Sequence, residues 1–242
     1  WVKIDWDKVP QGSNAKEAPL GHDYQLIPPA YKINSSITFL TADSSMTIGL
    51  SVYNPKFAEL ENYQGHIEAN GYVSINAKNF TNQSQTSVDE YWKVWPGLGY
   101  SGAVVATDAY SSEPITELAK IKSDSPALCY DFYTFNSGEA HVRVQAVPSH
   151  ALYAGKGVRC AVAIDDADPV ILDFQTFDRS NEWKQNVLKN AALKSAKQQI
   201  SAPGKHRLSL WMVDPGVMVD QLLIDLGGWK GSYAFPPETR KK

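Results

Sequence analysis

The side chains best suited to chemistry in this sequence are aromatic rings placed outside the strand cores. Tyr91, Trp92, Trp95 and Tyr100 crowd one loop, Trp183 opens a helical stretch, and Trp229 and Tyr233 sit in a glycine-rich C-terminal segment. A flat ring in a loop offers apolar area with a polar edge at low entropic cost, the combination that stacks on the face of a sugar. Arg179 and Lys93 lie close in sequence to these rings, and either cation could pair with a carboxylate on such a ligand. The competing reading makes the same rings a satellite core that plugs the ends of a sandwich, with at least one of them accessible. The binding candidates are therefore Trp92, Trp95, Tyr100, Arg179, Trp183, Trp229 and Tyr233.

Reactive constellations are harder to find. Gly97-Leu-Gly99-Tyr-Ser-Gly102 fits G-x-G-x-x-G, but a pyrophosphate cradle needs a helix after the glycines, and here the strand-like Ala103-Val-Val-Ala-Thr107 follows. The same stretch fails as a nucleophile elbow, because Ala103 occupies the last glycine's place. His22, His66, His141, His150 and His206 are scattered, with no H-E-x-x-H and no Cys/His cluster to suggest zinc or a triad. Asp165-Asp166-Ala-Asp168-Pro169 gathers three carboxylates suited to calcium, yet aspartates before a proline ordinarily form a turn. Carboxylates for glycoside hydrolysis must flank a bond across a cleft, which neighbours in one turn do not. No catalytic residue, metal site or cofactor is expected.

Composition narrows the partners. A net charge of −3 and a pI near 6.0, with no basic run except Arg240-Lys241-Lys242, argue against nucleic acid. The chain is 43% hydrophobic and 11% aromatic, as expected of a globular protein, and no uncharged apolar run approaches the roughly 20 residues of a membrane helix. Trp1 stands where an initiator Met would, with no leader-like pattern behind it, so the sequence reads as a processed or excised piece. Cys129 and Cys160 fall in predicted strands, either as buried free thiols or as a disulfide. Sequons at Asn34, Asn79 and Asn82 would accept glycans in a eukaryotic secretory route.

The elements that must carry these side chains are strands. Residues 1–57 offer strands at 2–6, 36–42 and 46–53, with a Gly/Pro/Asn-rich loop over 10–31 and an Asn54-Pro55 boundary. Three short strands are marginal alone, so this part reads as the end of a preceding β domain or an adaptor. From residue 65 onward, strands are predicted at 72–77, 103–107, 127–135, 140–147, 158–165, 170–177, 207–213 and 217–225. In 140–147, Val142, Val144 and Ala146 alternate with His141, Arg143 and Gln145, the period of a half-buried strand whose polar side faces water. Residues 208–224 pair two apolar runs around Asp214-Pro-Gly216 and read as a hairpin. One helix is expected, at 181–193, with Trp183, Val187, Leu188 and Ala191 on an apolar face that covers a mouth of the sandwich. The fold class is all-β, a jelly-roll β-sandwich over 65–238 behind a short β adaptor.

With those residues in view, 65–238 resembles the C-terminal domain of glycoside hydrolase family 115, the xylan and arabinogalactan α-glucuronidases. The resemblance rests on Gly71-Tyr-Val-Ser-Ile75, Pro96-Gly-Leu-Gly99 with Ser101-Gly102, Tyr130-Asp-Phe-Tyr133, and Gly155-Lys-Gly-Val-Arg159 with Asp165-Asp166. It continues through Arg179-Ser-x-Glu-Trp183 with Val187 and Asn190, Trp211-Met-Val-Asp-Pro-Gly-Val217, and Ser232-Tyr-x-x-Pro-Pro-Glu238. Val2-Lys-Ile-Asp-Trp6 and Leu50-Ser-Val-Tyr-Asn-Pro55 are similar to the stretch leading into that domain. The resemblance implies a non-catalytic piece of a longer enzyme whose catalytic carboxylates lie in an upstream barrel. It also implies a galactose-binding-like plan similar to carbohydrate-binding module families 6 and 35. Where those modules often carry E-A-E on a first strand, sometimes ligating calcium, this chain has Ile75-Asn76-Ala77-Lys78 and lacks both carboxylates. The expected function is an accessory domain of a secreted, extracellular or periplasmic enzyme. It would bind or orient glucuronoxylan or arabinogalactan beside the upstream catalytic domain. The alternative is a structural module for homodimerisation or packing on the barrel.

Overall fold

The computed structural model describes residues 31–40, 45–54, 60, 62–84 and 91–239. The expected strand at 2–6, the loop expected at 10–31 except its last residue, which begins a strand, His22 and the basic tail 240–242 lie outside the described residues. The chain divides into two compact units, Trp1–Tyr63 and Gln64–Lys242.

In the first unit β1 (Tyr31–Leu40) pairs antiparallel with β2 (Ser45–Asn54), in register from Tyr31↔Asn54 to Leu40↔Ser45. Thr38 and Thr47 face each other across the ladder and join their hydroxyls at 3.0 Å, a cross-strand pair that helps fix this register.

The second unit contains β3 (His66–Ile67), β4 (Tyr72–Asn76), β5 (Asn82–Ser84), β6 (Trp92–Pro96), β7 (Ala103–Thr107), α1 (Leu118–Asp124), β8 (Ala127–Thr134) and β9 (Gly138–Ala146). Then follow β10 (Arg159–Ile164), β11 (Val170–Asp173), α2 (Asn181–Lys189), β12 (Ala192–Ile200), β13 (Gly204–Met212) and β14 (Val219–Asp225). One sheet runs β11-β10-β13-β8-β3 with β5 also on β8; the other runs β12-β9-β14-β7-β6 with β4 also on β14. Only β3–β8 is parallel among these pairs. From β8 onward the chain alternates between the sheets, β10 and β11 staying together, which makes the sandwich a jelly roll.

Alternation along each strand builds the core. Leu128, Tyr130 and Phe132 of β8, Cys160 and Val162 of β10, and Leu208 and Leu210 of β13 belong to the same buried cluster as Val142 and Val144 of β9, Val73 and Ile75 of β4, and Leu222 and Ile224 of β14. Tyr130 is fully buried and satisfies its hydroxyl by donating to the Ala77 carbonyl at 2.8 Å. The outer side of the first sheet holds a second cluster, where Ile121 of α1 packs over Ala127, Ala161, Ala163, Trp211 and Val213. Small side chains at Ala161 and Ala163 let this helix approach the sheet.

Two expectations are corrected here, the hairpin and the extent of the helix, and the open question of the cysteines is resolved. The run 208–224 is not a hairpin: β13 bonds to β10 and β8 in one sheet, whereas β14 bonds to β9, β4 and β7 in the other. The turn between them crosses the sandwich, and its buried Asp214 fixes the corner by accepting from Gly157 N at 3.1 Å and from Arg159 Nε and Nη2 at 2.5 and 3.0 Å. Both cysteines are free thiols. Cys160 packs in the inter-sheet core, while Cys129 alternates with the inward Leu128 and Tyr130 and faces the other way, so no bridge can form. The helix expected at 181–193 stops at Lys189, where Asn190 takes a left-handed cap (φ 48°), and it buries none of its residues. Val187 and Leu188 stay exposed.

The chain after β14 returns along β4 and shields its outer edge. Thr239 N donates to the Ser74 carbonyl at 2.9 Å, Ser74 N to Thr239 Oγ1 at 3.0 Å, and Ser74 Oγ to the Pro236 carbonyl at 2.7 Å. Glu238 anchors this segment through His66 Nε2 (2.8 Å), Asn76 N (3.1 Å) and Asn79 Nδ2 (2.8 Å). Burial alone would raise the Glu238 carboxyl, but His66, the Asn76 amide and Asn79 more than offset it and hold the pKa below the ordinary 4.5. A folded-state pKa below the unfolded one gives stability that is present above 4.5 and lost as pH falls through the lowered value. Protection of the Ser74 and Thr239 amides, taken against the intrinsic exchange rate at each pH, is therefore expected to fall on acidification below this range while β13 stays protected, and Glu238→Gln should remove that pH dependence.

Candidate functional site

Polar residues on the outward side of the second sheet face one another in rows set by register. Leu193 of β12, Gln145 of β9, Gln221 of β14 and Asn76 of β4 stand in line. Their amides are joined: Gln145 Nε2 donates to Gln221 Oε1 at 3.4 Å, and Gln221 Nε2 to Asn76 Oδ1 at 3.1 Å. In the next row Arg143 lies beside Leu223. This corrects the expectation that the polar side of β9 faces water, since Gln145 is buried and Arg143 is half-buried, with a ring above it.

That ring is Trp229. The Arg143 guanidinium lies 4.8 Å from its centroid and donates to Asp225 Oδ2 at 3.1 Å. Asp225 also accepts from the backbone amides of Gly227 (2.9 Å) and Trp229 (3.1 Å), so one carboxylate sets both the arginine and the start of the C-terminal segment. Burial pushes the Asp225 carboxyl up, but the two amides and Arg143 together bring it below its ordinary value. Trp229 meets Phe235 edge to face at 5.7 Å.

Tyr100 rides on the β6–β7 loop, residues 97–102. A bulge in β14 turns the buried Asp220 toward this loop, where its carboxylate accepts from Tyr100 N at 2.6 Å and Ser101 N at 3.1 Å. Gly99 is required at this approach: its φ is +72°, and a Cβ there would lie 2.5 Å from Asp220 Cγ. The G-x-G-x-x-G motif is thus a hairpin loop clipped by an internal carboxylate. Tyr100 meets Tyr233 edge to face at 6.1 Å, and their hydroxyl contact, with burial behind it, pushes the Tyr100 pKa up to about 12. The Tyr100 hydroxyl donates to the Lys189 carbonyl at the end of α2, and the Tyr233 hydroxyl donates to the Leu188 carbonyl at 3.4 Å. Tyr100 is 40% exposed and Tyr233 64%, so the pair is positioned from three sides yet open to solvent.

The structure brings Tyr100 and Tyr233 together and holds Trp229 on the same C-terminal segment. Trp95 stands apart on the edge strand β6, partly exposed. Trp92 is corrected: it is a core residue, 3% exposed, whose indole N–H donates to the Pro126 carbonyl at 3.1 Å, so no ring face is free for a ligand. Arg179 occupies a left-handed turn position (φ 58°), exposed and just before the α2 N-cap Ser180, with no ion pair among the described residues. Trp183 is half-buried and lines a separate cavity at the sandwich end. Lys93 is already engaged by Asp108 and lies over the Tyr91 ring at 4.5 Å, so it is not a free cation. Sequence reasoning missed Lys189 and Lys230, both exposed and without an ion pair among the described residues, one at the end of α2 and one directly after Trp229. The three aspartates of 165–168 form the β10–β11 connection, where Asp165 accepts from Arg207 N at 2.9 Å and contacts His206 Nδ1 at 2.7 Å. At the position of the missing E-A-E, Lys78 donates to the Ser101 carbonyl at 2.8 Å.

Together these features define an all-β sandwich domain with aromatic side chains on its open surface. The chain matches the glycosyl hydrolase family 115 C-terminal domain over residues 65–238 and belongs to that family through this non-catalytic part. Among solved structures it is similar to a family 115 4-O-methyl-α-glucuronidase with specificity for decorated arabinogalactans, at 24% identity and a TM-score of 0.45, covering 60% of this chain and 17% of that one. It is also similar to the C-terminal family 6 carbohydrate-binding module of a marine laminarinase from Zobellia galactanivorans, at 13% identity, TM-score 0.39, with 64% and 98% covered. A family 35 module from Clostridium thermocellum stands at 11% identity, TM-score 0.39, with 63% and 96% covered. No curated protein sequence matches the chain. The chain spans 17% of the family 115 enzyme's length.

Proposed function

We propose that this domain binds or orients glucuronic-acid-bearing plant polysaccharide, glucuronoxylan or arabinogalactan, as the accessory domain of a secreted α-glucuronidase-like hydrolase linked to its catalytic domain. The observation that carries the reading is the open Tyr100–Tyr233 pair, with Lys189 bonded to it through its carbonyl and Lys230 close by in the same segment as Tyr233. Rings supply sugar-stacking area, and unpaired ammonium groups supply partners for a uronate carboxylate. Family membership supports an accessory role in carbohydrate processing.

Electrophoresis of the chain through gels containing glucuronoxylan or arabinogalactan tests this. The wild type is expected to be retarded, Tyr233→Ala to lose affinity by about tenfold, and Lys189→Ala/Lys230→Ala to lose most on the native polymer and little on its carboxyl-reduced form. Added salt should mimic the lysine variants. An unretarded wild type would favour the second reading, a structural module for dimerisation or packing on the catalytic barrel. The exposed Phe177 (84%) and Leu188 (75%) speak for that reading.

A further inference from the structure

A separate cavity of about 180 Å³ opens between α2, the loop after β9 and the chain after β11, lined by Trp183, Asn186, Val187, Ser149, His150 and Thr176, with Phe174 among the apolar residues of its wall. Its position follows from the local sequence. Ser180 caps α2 by accepting from Trp183 N at 3.1 Å, which sets the indole on the first turn, and Asn186 comes one helical repeat later on the same side. Pro148 ends the β9 register and carries Ser149 and His150 to the opposite wall.

The lining has two chemical halves. Trp183, Phe174 and Val187 give aromatic and aliphatic surface. The side chains of Ser149, His150, Thr176 and Asn186, and the Trp183 indole N–H, make no hydrogen bond within the protein among the described residues, and the Ser149 hydroxyl oxygen is also buried. A buried hydroxyl is ordinarily paired, so the Ser149 oxygen is an unmatched polar group in the residue that forms part of this wall, while His150, Thr176 and Asn186 bring the other unpaired polar side chains of the lining. No Lys, Arg, Asp or Glu lines the cavity, so it offers no fixed charge to an ionic ligand.

We propose that this cavity is a second binding site, for one neutral pyranose ring, with the sugar's apolar face on Trp183 and its hydroxyls on Ser149, His150, Thr176 and Asn186. The volume decides ligand size. Clefts for drug-sized ligands run roughly 300–1,000 Å³, so this one takes a single ring and not an oligosaccharide. It also has room for about six waters at roughly 30 Å³ each, which makes plain solvent filling the rival outcome. The site differs from the Tyr100–Tyr233 surface in its residues and in the charge of its ligand, and it stands whether or not that surface binds acidic polymer. A neutral-residue pocket along α2 and an acid-preferring surface at the end of that helix would suit a decorated polysaccharide, with a branch end held in one and the uronate by the other.

The test is titration of the ¹⁵N-labelled chain with methyl β-xyloside, methyl β-galactoside and glucuronate, read from amide and indole N–H shifts. At least one neutral glycoside is expected to shift Ser149, His150, Thr176 and the Trp183 indole saturably, with glucuronate at least about tenfold weaker there. Asn186→Ala and Trp183→Ala should each weaken this response about tenfold, while Tyr233→Ala leaves it unchanged. Asn186→Ala guards against a folding defect in the tryptophan variant, because its amide supports no other contact. The proposal is overturned if no neutral glycoside gives a saturable shift at these residues, leaving solvent only. It is equally overturned if the response survives Asn186→Ala and disappears in Tyr233→Ala.

Discussion

Replacing Gly228 with alanine is expected to destabilise the Gln64–Lys242 unit by about 3 kcal/mol or more, because an added methyl group there meets the closest obstacle found at any glycine among the described residues. Gly228 follows β14 and lies on the tight turn between Ala69 and Tyr72, where Leu226 N and Gly228 N donate to the Gly71 carbonyl at 2.9 and 3.3 Å. A Cβ at Gly228 would fall 1.7 Å from the Asn70 carbonyl oxygen and 2.8 Å from Gly71 Cα. Both obstacles are backbone, and the turn cannot give way, because Asn70 (φ 55°) and Gly71 (φ 79°) are already committed to left-handed conformations. The C-terminal segment must therefore lift, taking with it the Glu238 anchor, the Thr239–Ser74 bonds and the placement of Trp229 and Tyr233. Thermal unfolding should fall by roughly 6–12 °C for a domain of this size. Gly231→Ala, where a Cβ meets open space and only the positive φ opposes it, is the control and should cost about 1 kcal/mol. If Gly228→Ala melts with Gly231→Ala, the close backbone approach is not a real constraint.

The strands that the sequence declared were those with period-two or fully apolar patterns. All eight expected after residue 65 exist, with ends moved by a few residues. What escaped is instructive. β12 reads A-L-K-S-A-K-Q-Q-I, and its inward positions include Ala192 and Ala196, too small and too helix-prone to signal a strand; pairing with β9 decides its state. β6 ends in Pro96 and resembled a loop, but an edge strand tolerates that proline because its outer side needs no ladder bond. α1 has one buried side chain, Ile121, and a seven-residue helix with so narrow a contact leaves no periodic trace. The 208–224 run misled for a different reason. Local turn chemistry says that the chain reverses, not whether the returning strand joins the same sheet. That choice is made by Arg159 and Gly157, some 55 residues upstream, holding Asp214 at the corner.

The candidate site was legible as ring types but not as a surface. Tyr100, Trp229 and Tyr233 were found because aromatic residues in glycine-rich loops are conspicuous, and their convergence depends on Asp220 and Asp225, which sit in an apolar strand with no motif around them. Trp92 and Trp95 look equivalent in sequence, yet the β6–β7 register sends Trp92 inward with Thr107 and Trp95 outward with Val104. Cations fared worse, because proximity in sequence to a ring says nothing of existing partners. Lys93 is taken by Asp108, whereas Lys189 and Lys230 are free among the described residues.

Asp220→Ala is expected to abolish most polysaccharide binding although Asp220 touches no ligand, and to destabilise the domain by about 3 kcal/mol. Its buried carboxylate is the acceptor for the Tyr100 and Ser101 amides and for Gln145 Nε2 at 3.2 Å. Hydrogen bonds to a charged group contribute about 1.5–3 kcal/mol each, discounted here because the freed loop amides can turn to water. Without the clip the 97–102 loop keeps the Gly97–Gly102 bond, the Lys78 bond to the Ser101 carbonyl and the Tyr100 hydroxyl bond to Lys189, but with the Tyr100 and Ser101 amides released Tyr100 no longer meets Tyr233 from a fixed direction. The ring pair is lost as a platform, while the sandwich core, which Asp220 does not join, remains. Gly99 supplies an internal check. In the wild type Gly99→Ala combines a left-handed φ with a Cβ 2.5 Å from Asp220 Cγ, and so should cost well above the about 1 kcal/mol of φ alone. In the Asp220→Ala background the collision is gone and only the φ contribution persists. The double-mutant cycle should thus show a coupling of about 1–2 kcal/mol between the two positions. Additive effects, or an Asp220→Ala chain retarded by glucuronoxylan as strongly as the wild type, would mean that this carboxylate does not position the loop.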